Sequence, residues 1–144
     1  KAAIIKAHLL RKYQNDYKEV LTVSLNEEWN GKAYVLGRLF AVLEKAQMEA
    51  NPGINATIKD RFFTSACATP GMVFPRLLQL ANHHTAKAKY GYATEKQIRD
   101  LLDKLEVQED PYPAHLSLRE QGEFILGYYH QVKAFYTKKD KEEE

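Results

Sequence analysis

The sequence predicts an all-α fold, a compact bundle of about five to six helices forming a single domain over residues 1–144. Three observations point there. Apolar residues recur at helical spacing through most of the chain. Helix-start and helix-stop residues punctuate those runs. Strand patterning is confined to Val20–Ser24, too isolated to seed a sheet. A length of 144 residues suits one domain, and an apolar content of 44 % is enough to build a core.

Each helix has its own signals. Ala2–Gln14 carries Ile4, Ile5, His8, Leu9 and Tyr13 along one side, and a polar, irregular connection follows from Asn15 to Trp29. Asn30 is the expected cap of a helix from Gly31 to about Ala50, stopped by Asn51-Pro52-Gly53. That helix is apolar nearly all round, so it belongs at the centre, and Gly37 within it points to a neighbouring helix at close range. A shorter helix follows from about Asn55 to Cys67. Thr69-Pro70 starts the next, since proline is tolerated at the first helical position. Pro75 should offset or kink it before it continues to Lys89 and ends near Gly91. Thr94–Gln97 and Ser117–Glu120 both have capping-box spacing, predicting helices over Glu95–Leu105 and Leu118–Thr137. Asp110-Pro111-Tyr112-Pro113 reads as an extended linker between them, and the charged tail 138–144 as frayed.

Composition excludes several function classes. The apolar run Ala33–Leu43 is about half the roughly 20 residues of a membrane span, and Arg38 interrupts it, so no membrane partner is expected. Lys6 and His8 interrupt the opening segment, which therefore does not read as a secretory leader. The single Cys67 allows neither an intrachain disulfide nor a multi-cysteine zinc site, which suits a soluble, cytoplasmic protein.

Catalytic patterns fail one by one. There is no glycine-rich phosphate loop, HExxH, GxSxG or calcium loop. Tyr129 and Lys133 match a dehydrogenase spacing without the glycine-rich turn that such enzymes need. His83 and His84 are adjacent, so in a helix they point about 100° apart and do not share one ion. His115 and His130 read as packed or capping residues, and Cys67 as a small buried one. The chain is therefore read as a binding protein, not an enzyme. No catalytic residue, metal, cofactor or small-molecule substrate is assigned.

Charge is more informative than its total. Formal net charge is +2, yet residues 59–89 carry five cations against Asp60 alone, while residues 105–125 carry five acids against Arg119 alone. On the helix after Pro70, Leu77, Leu78, Ala81, Thr85 and Ala88 share one face. Arg76, Gln79, His83 and Lys87 share the other. Lys59, Arg61 and Lys89 extend the basic set, and Phe62 and Phe63 stand beside it. Cations beside aromatics suit a single nucleic-acid strand, through charge and stacking. A charged stripe also serves as a plain solvated face. Periodicity leaves both readings open.

Several blocks of the chain are familiar in their order. Tyr34-Val-Leu-Gly-Arg-Leu-Phe-Ala-Val-Leu-Glu44 is followed by Ile54-Asn-Ala-Thr-Ile-Lys-Asp-Arg-Phe-Phe63, then Ser65-Ala-Cys-Ala-Thr-Pro70 and Val73-Phe-Pro-Arg-Leu-Leu78. His83-His84, Ala114-His-Leu-Ser-Leu118, Glu120-Gln-Gly122 and Gly127-Tyr-Tyr-His-Gln131 complete the set. Together, from about Tyr34 to Lys138, they resemble the C-terminal region of the CRISPR type I-C large subunit. Cys67 and Gly71-Met72 are small departures. The resemblance implies the small subunit of an RNA-guided surveillance complex, Cascade, made from that C-terminal helical region. The implied partners are the repeated backbone subunits, the large subunit, neighbouring copies of itself, the guide RNA and the target DNA. The implied role is to bridge backbone subunits and stabilise the R-loop, with the basic face on the displaced strand and cleavage left to another protein. Two alternatives stay open: a purely structural bridge, and the same region as an excised domain of the large subunit.

Overall fold

The computed structural model describes residues 25–85 and 91–143, with side chains described for 25–82 and 91–137. Five helices account for most of these residues: α1 (Lys32–Ala50), α2 (Ile58–Ala68), α3 (Pro70–Thr85), α4 (Gly91–Glu106) and α5 (Leu118–Glu143). No strand occurs among the described residues, so the all-α expectation holds. The expected helix at Ala2–Gln14 and the strand-like Val20–Ser24 lie outside the described residues.

α1 is the axis of the bundle, as its all-round apolarity predicts. Residues 33–44 are buried without a break, and α5, α4 and α3 surround them. Full burial of a leucine- or phenylalanine-sized side chain contributes about 1.5–3 kcal/mol. Leu36, Leu39, Phe40 and Val42 make α1 the largest single contributor to the core. Phe40, Phe63, Phe124 and Tyr128 form an edge-to-face aromatic cluster with centroids 5.0–6.0 Å apart. Phe74 of α3 meets the same cluster through Phe124.

α1 and α5 cross through a reciprocal pair of glycines. A methyl group placed on Gly37 would run into the Phe124 carbonyl and lie 2.9 Å from the Tyr128 nitrogen. One placed on Gly127 would run into the Tyr34 carbonyl. The backbones touch where the side chains are missing, which offsets the cost of glycine in a helix interior.

Buried polar groups stitch the same interface. The Glu44 carboxylate accepts from the Tyr128 hydroxyl at 2.5 Å and the Thr57 hydroxyl at 2.6 Å, linking α1, α5 and the start of α2. Tyr34 Oη lies 2.9 Å from His130 Nδ1, and Trp29 stacks on Tyr34 at 4.3 Å. Because an unpartnered buried acceptor costs about 1–3 kcal/mol, Tyr128→Phe should destabilise the protein by about that amount. Urea unfolding at unchanged m-value is the measurement.

Several expected boundaries shift, each for a visible reason. α1 is capped at Gly31 without a side-chain bond, and Asn30 instead offers its carbonyl to Gln108 Nε2. α4 begins at Gly91, so Thr94 is an interior residue rather than a cap. Its hydroxyl donates to Glu49 Oε2 at 2.7 Å, a tertiary bond that displaces the local capping box. The Ser117–Glu120 box does form: the Ser117 N–H donates to the Glu120 carboxylate at 3.1 Å, and the Glu120 N–H to the Ser117 hydroxyl at 3.2 Å. Hydrogen bonding from the Ser117 backbone first, and from its side chain second, holds the Glu120 carboxyl below its ordinary range.

The 110–113 segment is not an extended linker. Asp110 adopts φ 47°, a left-handed turn, and the chain folds back on the junction of α2 and α3. There the Gly71 N–H donates to the Pro113 carbonyl at 2.9 Å and the Leu116 N–H to the Ala68 carbonyl at 3.0 Å. α3 runs through Pro75 as one helix. α5 extends past Thr137 to Glu143, because the tail is built of strong helix formers without a breaker.

Candidate nucleic-acid interface

The basic residues of 54–82 sit on α2 and α3, two short helices packed against each other and against the central axis. α2 starts at Thr57, whose N–H donates to the Asp60 carboxylate at 2.9 Å. The one acid of the segment is thereby engaged at the helix start and forms no ion pair with Lys59 or Arg61 among the described residues. Thr57-Ile-Lys-Asp60 forms a capping box absent from the sequence-based expectations, and the Thr57 hydroxyl also donates to the Glu44 carboxylate.

Lys59 is half-buried on an aromatic surface. Its ammonium lies 5.1 Å from the Tyr129 ring centre, 5.2 Å from Tyr128 and 5.8 Å from Phe63, and donates to the Tyr129 hydroxyl at 3.4 Å. Such cation–π contacts hold a charge near the surface while stripping part of its water. Arg61 is exposed two residues on, about 200° round the helix from Lys59. Arg76 of α3 is exposed and stands over the Phe62 ring at 5.8 Å. Gln79 is exposed one turn further along α3. Among the described residues, Lys59, Arg61 and Arg76 form no ion pair.

The structure therefore ties Lys59 to the aromatics of α5 and Arg76 to Phe62, while Arg61 projects separately. The His83 backbone continues α3, but its side chain, with Lys87 and Lys89, lies outside the described residues. The buried face of α3 is as expected for Leu77 and Ala81, with Phe74 added.

Phe62 and Phe63 are both half-buried, and Phe63 belongs to the core cluster, so it is no open stacking platform. The exposed ring is Tyr129, at 42 % accessibility. By spacing alone Tyr129 goes with Lys133. Its relation to Lys59, 70 positions away, has no local signature.

Cys67 is buried, and burial pushes its thiol above the ordinary range. A raised thiol holds less thiolate, the reactive form, at a given pH. Labelling of the folded chain with a thiol-specific disulfide reagent at pH 8 should run roughly tenfold or more slower than in denaturant. His130 is a packed residue against Tyr34, as expected, and His115 is exposed.

Arg119 pairs with Glu123 at 3.8 Å, and Glu106, Glu109 and Asp110 are exposed. No helix among the described residues is long and apolar enough to cross a membrane.

No curated protein matches the chain. A family model described as CRISPR-associated protein (Cas_Csd1) matches residues 1–136, nearly the whole length, and includes every helix that forms the basic face. The chain belongs to the Cas_Csd1 family of CRISPR-associated proteins.

Proposed function

We propose that this protein is a non-catalytic small subunit of a type I-C RNA-guided surveillance complex, bridging backbone subunits and holding the displaced DNA strand on its α2–α3 face. The observation that carries the reading is the pairing of Lys59 with Tyr129 and of Arg76 with Phe62, both cations without carboxylate partners among the described residues, with Arg61 exposed on another side of α2. Cations supply sequence-independent attraction to phosphate, and an exposed ring supplies a face for a base.

Family membership supports a place in such a complex, where guide pairing reads the sequence and the protein needs only backbone contacts. Replacing a DNA duplex by an RNA–DNA hybrid is nearly balanced in energy, so a few contacts to the released strand are enough to tip it. Gln79, exposed on α3, belongs to the proposed contact set, together with His83, Lys87 and Lys89, whose side chains lie outside the described residues.

The test is R-loop formation by the complex carrying charge-neutralised Lys59, Arg61 and Arg76. Weakened R-loops with intact assembly support strand contact. Unchanged R-loops assign the chain a purely structural role.

A further inference from the structure

α5 carries a second exposed ring in line with the first. Tyr129 is 42 % exposed and Tyr136 62 %. Seven residues fall about 20° short of two full turns, so the two side chains leave one face of the helix about 10 Å apart along its axis. Lys133, also exposed, lies between them, about 40° round the helix from Tyr129. The Tyr129–Lys133 spacing, without meaning as a dehydrogenase pair, is thus part of an aromatic–cation–aromatic row.

The charge around this row is one-sided. Neither 126–137 nor 50–59, the stretch that leads from α1 into α2, contains an aspartate or glutamate. That stretch meets α5 through Lys59 at Tyr129 and, by way of Glu44, through Thr57 at Tyr128. The acids of the adjoining part of α1 are engaged. Glu44 is buried and accepts from Tyr128 and Thr57, while Glu49 accepts from Thr94 and pairs with Lys45. The sequence turns acidic at Asp140 and 142–144, from one turn past Tyr136, where a phosphate chain is repelled. The row therefore has a defined end.

Tyrosine faces with lysines beside them, and no carboxylate in the same stretch of helix, suit a single nucleic-acid strand. Phosphates follow one another about every 3.4 Å along a stacked strand, so the gap between the two rings spans about three nucleotides.

We propose that the displaced strand, after Lys59 and Tyr129, continues along α5 and stacks a second base on Tyr136, with Lys133 beside the phosphates between them. The strand then leaves the chain where the acidic tail begins. This inference rests on the strand-binding reading of the α2–α3 face. It adds to that reading a second stacking position, a path and a footprint.

The test is binding of a thymidine dodecamer to the full chain at low salt. Tyr136→Ala is expected to weaken it at least about fivefold, the lower end of what one stacked base contributes, with the salt slope unchanged. Tyr136→Phe keeps the ring face and should bind within about twofold of the parent chain. Tyr136→Trp supplies a direct signature. Its fluorescence, beyond that of Trp29, should be quenched saturably by the oligonucleotide and not by a peptide of twelve glutamates. Unchanged binding in Tyr136→Ala, with binding lost when Lys59, Arg61 and Arg76 become glutamine, would overturn this inference and leave the α2–α3 face standing. No loss in either variant would overturn both. Equal quenching by the acidic peptide would also overturn the inference, by marking the row as a site for acidic protein segments.

Discussion

Substituting alanine for Gly37 or Gly127 is expected to lower the unfolding free energy by about 3 kcal/mol, the upper part of the range for overpacking a tight core. The reason is geometric. At both positions the new methyl meets backbone, the Phe124 carbonyl in one case and the Tyr34 carbonyl in the other. A flexible side chain would move aside, but a carbonyl in a packed helix moves only if the helices separate. Separation of α1 from α5 opens the Glu44–Tyr128 and Arg38–Gln131 bonds together.

For a domain of this size the loss corresponds to a Tm lower by roughly 10 °C. Gly122 provides the internal comparison. It lies in α5 with no atom near its missing methyl, so Gly122→Ala should stabilise by about 0.5–1 kcal/mol through helix propensity alone. Thermal and urea unfolding of the three variants separate crossing geometry from propensity. If Gly37→Ala and Gly122→Ala behaved alike, the close approach of α1 and α5 would be wrong.

Neutralising Lys59, Arg61 and Arg76 together to glutamine is expected to weaken single-strand binding on the order of 10- to 100-fold at physiological salt, because phosphate contacts dominate such affinity. Glutamine is preferred to glutamate because a carboxylate at residue 59 would face the π surfaces of Tyr128 and Tyr129. The dependence of log affinity on log salt should flatten by about 2, at about 0.7 for each single-strand phosphate that is no longer neutralised. Tyr129→Ala tests the stacking part and should cost about 1–3 kcal/mol, with little change in the salt slope. Helix content by circular dichroism should be unchanged in the Arg61 and Arg76 variants, since both side chains are exposed. The free chain should bind weakly on its own, because its basic face is one strip of a larger surface in the proposed complex.

The parts of this fold that are legible in the sequence are those decided locally or by strong periodicity. α1 is readable because nearly every position from 33 to 44 is apolar, and Asn51-Pro52-Gly53 leaves its end no alternative. Gly37 announces a close helix contact, and Ser117 with Glu120 announces the start of α5. What escapes reading is decided by partners distant in sequence. Thr94 has a capping-box pattern, yet the Glu49 carboxylate 45 positions earlier takes its hydroxyl and α4 starts a turn sooner. Asp110 turns left-handed where the chain returns to Ala68 at the end of α2 and Gly71 at the start of α3. The basic face is visible as composition, but not that Lys59 leans on Tyr128 and Tyr129 of another helix.

The central claim is that the α2–α3 face touches the displaced strand, and photo-cross-linking in an assembled R-loop tests it most directly. Photoreactive nucleotides are placed in turn along the displaced and the target strands, and cross-linked peptides are identified by mass spectrometry. The account expects adducts from the displaced strand within residues 58–79, centred on Lys59, Arg61 and Arg76, and at Tyr129 of α5, all abolished in the triple glutamine variant. Adducts confined to other subunits, with R-loop stability unchanged in that variant, would contradict it.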